Sequence, residues 1–158
     1  MEKRMRKLKG LAKDCPQPFF EGPADAPLTF VAWGSTVGAV RDAMGILHEK
    51  GKATNLLRFP TLFPLDAHVV HSVLAKTHKT LLVEGNYTGQ FARLLRSETG
   101  VELPHQYLKY DGEPFYPERI VERAGNAPRV SGRCRLSTAA CLRSRCSAIT
   151  GRTGKPQT

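Results

Sequence analysis

The apolar positions fall into short blocks that alternate between two periods. Leu28-Thr-Phe-Val-Ala-Trp33 is an apolar run bounded by Pro27 and Gly34, and it predicts a buried strand. Val37, Val40, Met44 and Leu47 follow at steps of three, four and three, one face of a helix ending near Gly51. Ala53 to Phe59 predicts a second strand. Pro60 and Pro64 mark a loop, and Asp66 can cap a helix carrying Ala67, Val70, Val73 and Leu74. Thr80 to Glu84 predicts a third strand. Gly85 and Asn86 turn the chain into a helix with Phe91, Leu94 and Leu95 inward and Gly100 behind it. His105 to Tyr110 predicts a fourth strand, and Pro117 suits the first position of a last helix through Ala124.

Strand followed by helix, four times over, predicts an α/β domain with a mainly parallel sheet and helices on both faces. The loops after Trp33, Phe59, Glu84 and Tyr110 would then share one edge, where ligands of such sheets sit. Before this pattern, Met1 to Lys13 reads as a short basic helix with Met5, Leu8, Leu11 and Ala12 on one side. Cys15 to Pro27 reads as a linker rich in Pro and Gly.

Charge separates the chain into three parts. The formal net charge is +10 over 158 residues. Met1 to Lys13 has six basic residues against Glu2 alone, and Asn126 to Thr158 has seven and no acid, so the middle is slightly negative. The basicity belongs to the ends, which sets nucleic-acid binding aside as the main role. No apolar stretch approaches the length of a membrane helix, and the expected location is the cytoplasm. Beyond Ala124 the chain has arginines, small residues and three cysteines, but few large aliphatics and no aromatic. It cannot bury enough apolar area to offset its ordering entropy, so a disordered tail is expected. The expected domains are a lead-in helix and linker over 1–27, an α/β domain over 28–124, and a basic tail over 125–158.

Two segments carry candidate chemistry. In Gly34-Ser35-Thr36 a strand passes into a helix whose free N–H groups could receive an anion, although a plain strand-to-helix turn with Ser35 as cap is the favoured reading. In Glu84-Gly-Asn-Tyr-Thr-Gly-Gln90 a carboxylate, two amides and a hydroxyl crowd the end of the third strand. Glu84, Asn86, Thr88, Gly89 and Gln90, with Asp111 after the fourth strand, are candidates for a polar ligand or a subunit interface. A carboxylate there could instead satisfy backbone donors at a helix N-terminus. His68 and His71 stand one helical turn apart but find no third ligand at useful spacing. Cys134, Cys141 and Cys146 form no CxxC pair. No metal site is assigned, and no nucleophile has a base within reach, so no catalytic or cofactor-binding residue is assigned.

Three blocks resemble a known family: Phe30-Val-Ala-Trp-Gly-Ser-Thr36, Val83-Glu-Gly-Asn-Tyr-Thr-Gly-Gln-Phe-Ala-Arg-Leu-Leu-Arg96 and Lys109-Tyr-Asp-Gly-Glu-Pro-Phe115. In order and spacing they resemble the C-terminal part of the alpha subunit of 2-oxoacid:ferredoxin oxidoreductases, particularly the 2-oxoglutarate type. The likeness runs from about Glu2 to Ala124.

The resemblance implies a Rossmann-like sheet similar to the C-terminal domain of transketolase, serving assembly rather than chemistry. For the whole complex it implies oxidative decarboxylation of a 2-oxoacid, with thiamine diphosphate, Mg, an iron–sulfur cluster and coenzyme A. The implied partners are a beta subunit and the remaining alpha or gamma domains, with ferredoxin served indirectly. Thiamine-contacting segments of the family have no counterpart in this chain, so the expectation is a fragment, inactive alone, with residues 125–158 out of frame or fused. The alternatives are a stand-alone interaction module that binds the beta subunit, and a nucleic-acid binder using both basic ends. A piece shaped for missing neighbours would leave an apolar face uncovered and self-associate.

Overall fold

Helix α1 (Glu2–Asp14) opens a computed structural model that describes residues 2–126. The expectations for the tail, including its disorder and its cysteines, fall outside that range. Met5 and Leu11 of α1 are exposed. The helix ends against Cys15, whose N–H donates to the Leu11 carbonyl at 2.9 Å, and Gln17 Nε2 donates back to the Ala12 carbonyl at 2.9 Å.

The segment read as a linker contains a strand. Phe19–Glu21 (β1) pairs antiparallel with Thr54–Phe59 (β3), with Phe20 opposite Leu57. Three residues between Pro18 and Gly22 are too few to show a period, so apolar patterning could not reveal β1. Packing decides it. Phe20 lies against the core, and Glu21 accepts from Arg41 Nε at 2.7 Å and Nη2 at 2.8 Å.

The remaining elements follow the alternating pattern. Leu28–Trp33 (β2) leads into Thr36–Glu49 (α2), and β3 into Ala67–Leu74 (α3). Thr80–Glu84 (β4) leads into Gln90–Thr99 (α4), and Gln106–Leu108 (β5) into Pro117–Asn126 (α5). The fourth strand is shorter than His105–Tyr110: Lys109 and Tyr110 already belong to the loop. Asp66 caps α3 as anticipated, accepting from the His68 and Val69 N–H groups at 2.9 and 3.3 Å. Ser35 stands at the start of α2, but its side chain makes no capping bond. The Thr36 hydroxyl donates to the Trp33 carbonyl at 2.8 Å instead.

The strand order is β1-β3-β2-β4-β5, parallel except for β1. Because alternate side chains face opposite sides, the sheet builds two cores. Val31, Leu57, Phe59 and Leu82 meet Val70 and Leu74 of α3 and Phe91 and Leu95 of α4. Phe30, Ala32, Leu56, Leu81 and Val83 meet Val37, Val40 and Leu47 of α2 and Ile120 of α5. Helices cover both faces of a mainly parallel sheet, as the alternation implied.

Chain order fixes one point in this sheet. From β2 the path runs through α2 to β3 on one side, then through α3 back across to β4 on the other. The crossovers diverge between β2 and β4. The carboxyl ends of those strands, Trp33 and Glu84, therefore flank the switch point where α/β sheets open a crevice.

Candidate functional site

The carboxyl edge is assembled from the loops that follow β2, β4 and β5. After β2, Gly34 takes φ +58°, a left-handed conformation that only glycine adopts without strain, and Thr36 begins α2. After β4, the chain crosses to α4 in five residues, and two side chains organise the passage.

Glu84 is fully buried. Its Oε1 accepts from the Phe91 N–H at 2.7 Å and from Asn86 Nδ2 at 2.6 Å. Asn86 Oδ1 in turn accepts from the Gln90 N–H at 3.2 Å. Two of the four N–H groups that α4 would leave unsatisfied are thus taken by side chains from the preceding strand and loop. The N-terminal end of the helix faces the carboxylate. Gly89, the N-cap, holds φ +61° and turns the chain into this alignment. The Lys109 N–H donates to the Glu84 carbonyl at 3.2 Å, tying the β5 loop to the same point.

Glu84 is thus fastened to the fold from within. Oε2 of Glu84 and Nε1 of Trp33 are buried without hydrogen-bond partners.

The other candidates spread outward from this point. Thr88 and Gly89 line an open groove of about 320 Å³ with Arg93, Arg96, Leu103 and Gln106. Asp111 lies beyond β5 in a second groove of about 550 Å³, with Tyr107, Lys109, Tyr110, Tyr116 and Arg119. Asp111 accepts from Lys109 Nζ and from the Glu113 N–H, and the lysine bond holds its carboxyl below the ordinary carboxylate value. Gly34, Ser35, Thr36, Glu84 and Asn86 gather at the switch point, Thr88, Gly89 and Gln90 flank it, and Asp111 stands apart across β5.

Two features of this edge escaped the sequence reading. Tyr87 and Tyr110 pack edge to face at 4.6 Å between centroids, although both rings are largely exposed. Trp33 lies over the same side of the sheet as Phe91, 6.4 Å away. A tryptophan ending a buried strand was the available signal for the second. For the tyrosine pair, 23 residues apart, the chain offers none.

The histidines do not converge. His71 Nε2 bonds the Thr99 carbonyl at 2.7 Å, joining α3 to the end of α4, and His78 Nε2 bonds Asp25 at 2.8 Å. Among the described residues no group of three or more His, Cys, Asp or Glu side chains could hold a metal ion, and Cys15 is the sole cysteine. Neither Mg nor an iron–sulfur cluster fits the donors present there. Among the described residues no helix is long and apolar enough to cross a membrane.

The family model for the transketolase C-terminal domain matches residues 24–102, half of the chain, and spans the switch point and both of its strands. The chain belongs to the transketolase C-terminal domain family. Within that family, this transketolase C-terminal domain is similar to the alpha subunits of 2-oxoacid:ferredoxin oxidoreductases. The alpha subunit from Saccharolobus solfataricus is 31% identical over 124 residues, covering 77% of this chain and 20% of that protein. An alpha subunit from Aeropyrum pernix is 29% identical over 133 residues, covering 82% of this chain and 20% of that protein. The chain thus spans about a fifth of the length of these relatives. The fold agrees with a solved 2-oxoglutarate:ferredoxin oxidoreductase from Magnetococcus marinus, described with 2-oxoglutarate, coenzyme A and succinyl-CoA bound. Its TM-score is 0.70 at 31% identity, covering 78% of this chain and 22% of that one.

Proposed function

We propose that this transketolase C-terminal domain is the assembly domain of the alpha subunit of a 2-oxoacid:ferredoxin oxidoreductase. Such a complex carries out the coenzyme A-acylating oxidative decarboxylation of a 2-oxoacid, here assigned as 2-oxoglutarate, and works in the cytoplasm. The observation that carries this reading is the match of most of the chain to one 22% slice of the Magnetococcus marinus enzyme, in fold and sequence together.

In this reading the domain contributes shape and no reacting group. Residues 28–124, with β1 drawn into the sheet, dock against the beta subunit and the remaining alpha or gamma domains. Thiamine diphosphate, Mg and the iron–sulfur cluster are held by those partners, coenzyme A is taken up by the assembled complex, and ferredoxin is met through them. The candidate residues of the carboxyl edge, Gly34, Ser35, Thr36, Glu84, Asn86, Thr88, Gly89, Gln90 and Asp111, shape the surface presented to these neighbours. The fixed α4 start and the exposed Tyr87–Tyr110 pair support this role, because rigid aromatic surface suits a docking face.

The test is reconstitution. The full chain, co-expressed with the beta subunit and the thiamine-binding domain of such an enzyme, is expected to co-purify with them. Alone, with 2-oxoglutarate and coenzyme A, it is expected to leave a viologen dye oxidised. Turnover by the lone chain, or failure to recover either partner, overturns the proposal.

A further inference from the structure

Two buried polar atoms at the switch point lack a partner, and they are chemically complementary: Nε1 of Trp33 and Oε2 of Glu84. The indole N–H can only donate, and the carboxylate oxygen can only accept. Their strands are neighbours. β2 and β4 pair in parallel with Val31 opposite Leu82. The ladder ends there, and Trp33 and Glu84 each lie two residues further on, an even step that keeps both on the face that carries Val31 and Leu82. Phe91 joins them from above: its ring is 6.4 Å from the Trp33 ring, and its N–H is 2.7 Å from Glu84 Oε1.

Leaving a buried carboxylate oxygen and a buried indole N–H both unpaired is costly, and native folds rarely accept it. No direct bond joins them. We propose that one structural water bridges Trp33 Nε1 and Glu84 Oε2, accepting from the indole and donating to the carboxylate. Its chemistry fits this place and other occupants do not. Both atoms are sealed from solvent, so a larger ligand has no approach. A cation would find one carboxylate oxygen and an indole, which is no ligand set. A water needs only polar partners and room for itself.

The bridge clamps the ends of β2 and β4 where the crossovers diverge. Through them it holds the Gly34–Thr36 and Gly85–Gly89 loops at a fixed spacing. This site is independent of what the carboxyl edge binds, and its test makes no use of oxidoreductase activity.

Trp33 is the chain's sole tryptophan, so the full-length protein labelled with ¹⁵N-tryptophan gives a single indole N–H signal. That proton is expected to show a nuclear Overhauser cross-peak at the water frequency, with the sign of a long-lived bound water, and slow exchange with solvent. Absence of the cross-peak overturns the proposal, and this measurement needs no variant. The second arm melts Trp33→Phe, Glu84→Gln and the double variant. Because one water serves both groups, removing either partner weakens the same bridge. The double variant is therefore expected to melt well above the temperature given by adding the two single shifts. Additive shifts also overturn the proposal.

Discussion

Glu21 and Glu84 each fasten an element that strand pairing alone would leave loose, and they do so with opposite chemistry. Glu21 sits on the short margin strand β1. Arg41 grips it through Nε and Nη2, and Arg58 Nη1 approaches at 3.5 Å, all within reach of water. Glu84 sits at the end of a central strand, sealed from solvent, and it accepts from the Phe91 backbone N–H and the Asn86 amide, neither of them a cation. The first is an ion pair whose value depends on salt and acid. The second is a set of fixed dipoles whose removal orphans their donors inside the fold. Burial and donor type decide how much a carboxylate holds.

The contrast breaks most directly at Glu84. Glu84→Leu leaves the Phe91 N–H and the Asn86 amide without their acceptor, and is expected to cost about 3 kcal/mol in chemical denaturation. A loss under about 1 kcal/mol would mean that α4 finds other partners for its start. Gly89→Ala forces alanine into a left-handed conformation, φ +61°, and is expected to cost about 1–2 kcal/mol by the same measurement. The added Cβ would also fall 2.6 Å from Gln106 Oε1, but that flexible end can move aside.

At the other margin the effects are smaller and depend on conditions. Glu21→Gln is expected to cost about 1 kcal/mol or less in low salt, and less still in high salt. The Arg41 hydrogen bond holds the Glu21 carboxyl below its ordinary value of 4.5. Its stabilisation is therefore fully present above that value and is lost as pH falls through the lowered one. A wild-type acid titration should show this loss, and Glu21→Gln should not.

The smallest expected effect is at His105. Burial first, and Lys79 second, lower its value from 6.5. In acid the unfolded chain takes the proton first, so stability begins to fall as pH drops below 6.5, and the loss is complete below the lowered folded value. Replacement by Gln should flatten that upper part of the curve while leaving the Glu21 part in place.

The central elements were legible because their residues satisfy the simplest rule available to them. Leu28–Trp33 and Thr80–Glu84 are apolar runs with clear stops, and both strands have those bounds. Asp66 caps where a short acid before an apolar period should. β1 was hidden because its pairing depends on β3, far along the chain, and on Arg41 meeting Glu21 from α2. The crowding after Glu84 was visible as a sequence of polar groups, but not which atom bonds which. That required Phe91 to turn its N–H back toward a strand already finished. Trp33 gave no hint in one dimension that its nitrogen would be enclosed without a hydrogen-bond partner.

The two outermost strands, β1 and β5, are each three residues long. An intruding peptide seeking to extend a sheet needs a row of exposed N–H and C=O groups, and these margins offer it scarcely more than one repeat. Margins this short guard a sheet against templated stacking.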